Sequence, residues 1–183
     1  MKRLLMCAAI FAAATLSLSA QQQPPKPPVS PAETATGVIA GKTITIAYNS
    51  PSVKGREGHI FTKDGLISHN PHYPVWRAGA NNATTLHTDA DLMIGNLAVP
   101  AGTYTLFVDI SDPAKWTLIV SKATGEWGLK YDPTQDLGRV KMRMSKPPAT
   151  IEDLKYTIET KRKSGKITLS WEDEVASVRI KGH

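Results

Sequence analysis

Apolar and polar residues alternate with a period of two along most of this chain, and that period constrains the fold more than any other feature. Ile44, Ile46 and Tyr48 alternate with Thr43, Thr45 and Ala47. Tyr104, Leu106, Val108 and Ile110 alternate with Thr103, Thr105, Phe107 and Asp109, and Trp116, Leu118 and Val120 with Thr117, Ile119 and Ser121. Four more runs follow: Val140-Met142-Met144, Leu154-Tyr156-Ile158, Ile167-Leu169-Trp171 and Val178-Ile180. Successive side chains of a strand point to opposite faces, so each run reads as a strand with one face toward a core. Leu92 and Ile94 lead through Gly95-Asn96 into Leu97 and Val99, the signal of a two-residue hairpin. A second turn is expected at Ser164-Gly165.

About nine short strands separated by turn residues predict an all-β antiparallel sandwich, with a jelly roll or partly open barrel as variants. Single helical turns fit only Ile151-Glu152-Asp153 and the stretch from Asp132 to Leu137. A hydrophobic share of 41% is enough for a core of useful size.

The N-terminus is different. Lys2 and Arg3 precede an uncharged apolar stretch from Leu4 to Leu16, and Ser17-Leu18-Ser19-Ala20 supplies small residues for cleavage. Residues 1–20 therefore read as a cleavable signal peptide, which sends the protein to the periplasm or outside the cell. Cys7 leaves with that peptide, so the remainder carries no cysteine and no disulfide or thiol chemistry. No later apolar run reaches the roughly 18 residues of a membrane span. Residues 21–35 hold Pro24, Pro25, Pro27, Pro28 and Pro31 and read as an extended spacer, followed by one domain over residues 36–183. The net charge is +6, of which Lys2 and Arg3 supply two units. The rest is concentrated in the second half, where basic residues alternate with apolar ones. That pattern reads as a solvated strand face rather than a nucleic-acid patch.

The segment from Asn49 to His87 breaks the period of two. It is rich in Gly and Pro and carries Arg56, His59, His69, His72, Trp76, Arg77, Asn81 and Asn82. Long irregular segments on a rigid β scaffold are where function concentrates. Tyr48-Asn49-Ser50-Pro51-Ser52-Val53-Lys54-Gly55-Arg56 resembles the opening motif of the bacterial DUF2911 family. Val75-Trp76-Arg77-Ala78-Gly79-Ala80-Asn81-Asn82-Ala83-Thr84-Thr85 resembles its central motif, and Pro100-Ala101-Gly102-Thr103-Tyr104-Thr105-Leu106-Phe107 its third. Trp127-Gly128 with Tyr131 and Asp132 matches a later pair of positions. The resemblance runs from about Gly37 to the C-terminus and implies an exported β-sandwich domain without an established activity. Gly58-His59 and Ser68-His69-Asn70-Pro71-His72 depart from it, because the family more often has an apolar, glycine-rich run there.

Two chemistries fit the segment. Arg56, Trp76, Arg77, Asn81 and Asn82, with Trp127 and Tyr131, would make a cleft for a small molecule, a glycan or an envelope protein. Arginine forks fit carboxylate, phosphate or sugar oxygens, and aromatic rings stack on sugars. Against this, Trp76 would plug the sandwich, while Arg77 would pin a loop carbonyl or pair with Asp89, Asp91 or Asp136. Alternatively His59, His69 and His72 would gather a divalent metal such as zinc or copper for a hydrolase or lyase. The contrary reading is of loop histidines with polar partners. No G-x-S-x-G, H-E-x-x-H or phosphate-cradling glycine loop is present, so no catalytic residue is assigned. The expected geometry is convergence of Arg56, Trp76, Arg77 and Asn81 on one concavity, within reach of Trp127 or Tyr131.

Overall fold

A computed structural model of the chain describes residues 30–182; the expected signal peptide and most of the spacer lie outside the described residues. In chain order the strands are β1 (Ala32–Ile39), β2 (Lys42–Asn49), β3 (Val75–Trp76), β4 (Thr84–Thr88), β5 (Leu92–Ile94), β6 (Leu97–Val99) and β7 (Gly102–Asp109). They continue with β8 (Thr117–Ser121), β9 (Asp136–Lys141), β10 (Arg143–Ser145), β11 (Ile151–Lys161), β12 (Ser164–Glu172) and β13 (Glu174–Gly182). The first sheet has the order β1-β2-β4-β7-β8-β9, with β3 paired to the end of β7. The second has the order β11-β12-β13-β5-β6, with β10 paired to β13. Every pairing is antiparallel. The fold is the expected all-β sandwich, and the sheets do not close into a barrel.

The inward rows are the apolar sets read from the period of two. Ile44 and Ile46 of β2, Leu106 and Val108 of β7, and Leu169 and Trp171 of β12 are all buried in one core. Strand β8 departs from the expected alternation, because all five of its residues are buried. Its outer face lies beside Phe107, whose ring meets Tyr131 edge-on at 4.9 Å. The loop after β8 thus covers the outside of the sheet.

Four boundaries differ from expectation. The run Val140-Met142-Met144, expected as one strand, divides at Met142 between β9 of the first sheet and β10 of the second. Strand β1 begins at Ala32, inside the stretch expected as spacer, rather than at residue 36. Strand β1 pairs along its whole length with β2, from Ala32 opposite Asn49 to Ile39 opposite Lys42. Ile151 to Asp153 belong to β11, not to a helical turn, whereas Pro133–Gln135 form a 3₁₀ turn capped by the Asp132 carboxylate, which accepts from the Thr134 amide at 2.9 Å. The turn expected at Ser164-Gly165 lies at Arg162-Lys163, with Arg162 at φ +56°. Gly165 is a strand residue opposite Thr160, and glycine is needed there because a Cβ would collide with the Glu159 carbonyl. The Gly95-Asn96 hairpin is as expected, with Ile94 opposite Leu97 and Gly95 at φ +59°.

The irregular stretch between β2 and β4 is a plug more than a loop. Ile60 and Ile67 are buried, and Phe61 packs 4.8 Å from Trp116 and 5.7 Å from Trp171, measured between ring centres. Trp76 and Trp171 stack at 5.9 Å with 22° between their planes. This aromatic cluster closes one end of the sandwich and forms the base on which the candidate site is built.

Candidate functional site

The Tyr48–Pro51 stretch ties three elements together at that end. The Asn49 amide donates to the Ser30 carbonyl at 3.1 Å, and the Ser50 amide donates to Pro31 at 2.8 Å. The Ser50 hydroxyl donates to the Leu154 carbonyl at 2.6 Å, and the Asn49 carbonyl accepts from the Ala80 amide at 3.1 Å. Each group is buried, and leaving one unpaired would cost about 1–3 kcal/mol. The motif is therefore a clasp, and its work is to hold the neighbouring loops in fixed positions.

Residues 77–83 are one of those loops. Ala78 and Asn81 both take left-handed backbone angles, φ +53° in each case, which non-glycine residues adopt at some cost. The Ala78 carbonyl accepts from the Thr84 hydroxyl at 3.1 Å and from the Tyr156 hydroxyl at 3.0 Å, which fixes the turn. Gly128 lies directly over the loop: a Cβ there would come within 2.7 Å of Arg77 Cδ. Trp127-Gly128 thus has a packing role, with glycine letting the chain rest on the Arg77 stem.

Between these loops is a cavity of about 350 Å³, within the range typical of ligand pockets. Lys54, Arg56, Arg77 and His69 line it, Leu66 and Leu129 wall it, and the edges of Trp76 and Trp171 form its floor. No Asp or Glu is among its lining residues. Arg56 Nε donates to the Val53 carbonyl at 2.9 Å and Nη2 to Ser52 at 2.7 Å. Arg77 Nη1 donates to the Asn81 carbonyl at 3.2 Å. Among the described residues no carboxylate pairs with either guanidinium. Each guanidinium offers five N–H donors, so most of Arg77's hydrogen-bonding capacity is unused. Burial alone pushes the Arg77 pKa down from the ordinary arginine value.

Arg56, Trp76 and Arg77 all line this one cavity. Trp76 joins as a floor edge only: it is 2% exposed, and its indole N–H donates to the Gly79 carbonyl at 3.3 Å. Asn81 stands behind the cavity, holding Arg77 with its carbonyl and donating its side-chain amide to Ser30 at 3.3 Å. Asn82 is exposed and bridges to Trp127 through the backbone; Trp127 is 51% exposed. Tyr131 lies across Leu129, in a second cavity shared with His72. Its hydroxyl donates to Asp136 Oδ2 at 2.9 Å; burial and that carboxylate push its pKa up to about 12. Asp136 is also held by Arg139 at 2.9 Å, so it is not a partner of Arg77.

The histidines are dispersed. His69 lines the cationic cavity, His72 lines the second, and His59 is exposed outside both. Among the described residues no three His, Cys, Asp or Glu side chains gather where they could hold a metal ion. The expected metal cluster is not formed among them, since His69 and His72 line different cavities. Lys54, Leu66 and Trp171 are cavity residues that the sequence reading passed over. The signal for Lys54 was present in Lys54-Gly55, where left-handed φ values of +51° and +71° turn the chain back over the cavity.

Glu172 is a buried carboxylate at this same end, 3% exposed, in the turn between β12 and β13. It accepts a hydrogen bond from the Gly58 amide. Burial raises its pKa above the ordinary glutamate value, the Gly58 bond opposes the shift, and Asp173, Glu174 and Glu57 reinforce it. A carboxyl whose folded pKa is raised gives its full stability below the unfolded pKa and loses it as pH rises through the folded one. Glu172→Gln should therefore melt higher than wild type at neutral pH, and the gap should close by about pH 4. Thermal melts of both proteins across that range check this; a lower midpoint for the variant at neutral pH would contradict it.

Among the described residues no helix is long and apolar enough to cross a membrane. No curated protein and no solved structure matches the chain. Residues 30–180 match a family described as a protein of unknown function, so the clasp, the left-handed loop and the cavity they frame occur in a chain that belongs to the DUF2911 family.

Proposed function

We propose that this domain is a non-catalytic binding module of the cell envelope, and that it holds a small anionic ligand in the cavity between Arg56 and Arg77. The ligand class is a ring compound or sugar bearing a carboxylate or phosphate. One observation carries the reading: Arg77 is half-buried against an open cavity and has no carboxylate partner among the described residues. A desolvated cation is costly unless paired. A bound anion supplies the missing pair and accepts the free donors bidentately. The Trp76 and Trp171 edges with Leu66 and Leu129 give a ring an apolar wall. The basic, apolar, small-residue order of residues 1–20 supports export.

The test is a thermal-shift titration with glucuronate, a hexose phosphate and citrate, each beside a neutral counterpart. Ligand at about a hundred times its dissociation constant adds about 2.7 kcal/mol, a rise of about 5–10 °C for a domain of this size. The rise should appear with the anions and not with the neutral sugars. No response to any anion, together with turnover of a chromogenic substrate panel, would replace this reading with an enzymatic one.

A further inference from the structure

The opposite end of the sandwich carries a second, differently built cationic site. Strands β11, β12 and β13 run from the cavity end to the far end, where the β11–β12 turn meets the β1–β2 turn. There the Ala40 amide donates to the Arg162 carbonyl at 2.9 Å. On the outer face near that turn two cross-strand rows are in register. One is Glu159, Lys166 and Arg179; the other is Lys161, Ser164 and Lys181. Both rows point outward, because the alternate row of Ile158, Ile167 and Val178 faces the core.

These residues line a depression of about 540 Å³ holding four cations and a single carboxylate, Glu159. Glu159 contacts Lys166 at 3.1 Å. Lys161, Arg179 and Lys181 have no ion pair among the described residues. Lys166 lies directly opposite Arg179, and like charges facing one another across strands destabilise a sheet. Arg162 and Lys163 at the turn add to the same field. A solvated strand face needs no such concentration. A fold that holds like charges together in a concave surface gains when an anion is laid among them.

We infer that this groove binds an acidic polysaccharide, a chain of sugars carrying regularly spaced carboxylates. Three features select that partner. Arg179 and Lys181 stand two residues apart on β13, about 7 Å, Lys166 faces Arg179 from β12 about 5 Å away, and Lys161 lies on β11 on the far side of Ser164, a spread of cations suited to a polymer and not a lone ion. Hydroxyls are interleaved with the charges: Ser164 lies between Lys161 and Lys181, and Thr157 and Ser177 stand in the next outward row. No exposed large apolar side chain lies on this face, since those of the described residues are Val38, Leu66, Tyr73 and Trp127. The face therefore lacks the apolar wedge of an interfacial membrane anchor and the aromatic platform of a single-strand nucleic-acid site.

The experiment measures binding of the purified chain to polygalacturonate at moderate salt, beside neutral amylose, phosphatidylglycerol vesicles and duplex DNA. Polygalacturonate should bind, amylose should not, and vesicles and DNA should bind at least about tenfold more weakly. The double variant Lys166→Glu with Arg179→Glu should lose about tenfold or more in affinity. Lys115→Glu with Lys122→Glu makes the same change in net charge on exposed residues elsewhere and should stay within about twofold of wild type. Glu159→Gln should bind more tightly. Lys166→Gln with Arg179→Gln, a milder pair, covers the case in which charge reversal unfolds the chain, and circular dichroism monitors folding throughout. The inference is overturned if wild type ignores polygalacturonate, if vesicles or DNA bind as well, or if the remote pair weakens binding as much as the groove pair.

Discussion

Trp171→Ala should lower unfolding stability by about 3–5 kcal/mol, the range for truncating a large buried aromatic. The ring is 1% exposed, stacks on Trp76 and contacts Phe61, and its N–H donates to the Glu152 carbonyl at 3.2 Å. Truncation leaves a cavity between the two sheets, removes one of the two donors to the Glu152 carbonyl, whose other partner is the Val53 amide at 2.8 Å, and removes the brace for the Asn49–His87 segment. For a domain of this size the melting midpoint should fall by about 6–20 °C. Trp171→Phe keeps most of the volume and should retain roughly half of the loss. Ligand response should weaken with both, since the indole edge is part of the cavity floor. Chemical denaturation of the three proteins measures it. A loss under about 1 kcal/mol would mean that the aromatic cluster does not brace the end of the sandwich.

That cluster also shows where the sequence is legible. Trp116 and Trp171 read as core because they sit in register with apolar partners on their own strands, a purely local signal. The same logic placed the strands that carry long alternating runs. It passed over β4, Thr84-Thr85-Leu86-His87-Thr88, where threonine and histidine hide a single buried leucine between buried Thr84 and Thr88. It passed over most of β1, an edge strand with little to bury. The two arginines were found from side-chain chemistry, because a planar cationic fork in an irregular segment fits anionic oxygens. Trp171, Leu66 and Leu129 were out of reach, because they arrive from distant parts of the chain and their apolar character already had a core explanation. Asn81 carries structural work that its side-chain chemistry did not reveal: it takes a left-handed backbone position and donates its side-chain amide to the Ser30 carbonyl.

Arg77 is the residue at which a binding site and a structural latch make opposite predictions. Arg77→Met keeps an unbranched stem under Gly128 and removes the charge. If Arg77 exists to pin the loop through the Asn81 carbonyl, the variant loses a charge-assisted hydrogen bond worth about 1.5–3 kcal/mol, and its midpoint falls. If Arg77 exists to meet an anion, the free protein already bears the cost of a half-buried, unpaired cation, as its lowered pKa indicates. Removing that cation then leaves the unliganded midpoint unchanged or raised. The second result is expected. The bond to Asn81 is 3.2 Å long and made by one donor, and the loop is held independently by Thr84 and Tyr156 at Ala78. The anion-dependent rise in midpoint should disappear, with affinity down about thirtyfold or more, the usual consequence of deleting a bidentate anchor worth about 2 kcal/mol. Arg77→Lys should recover part of it, as a point charge without the planar fork. Gly128→Ala supplies a further geometric test: a methyl group pressed onto Arg77 Cδ, and onto the Asn81 carbonyl and Ala83 amide behind it, keeps the charge but moves it with its loop, and should weaken anion binding by a smaller factor. A lowered midpoint for Arg77→Met with an unchanged anion response would make the arginine a latch and empty the cavity of its proposed role.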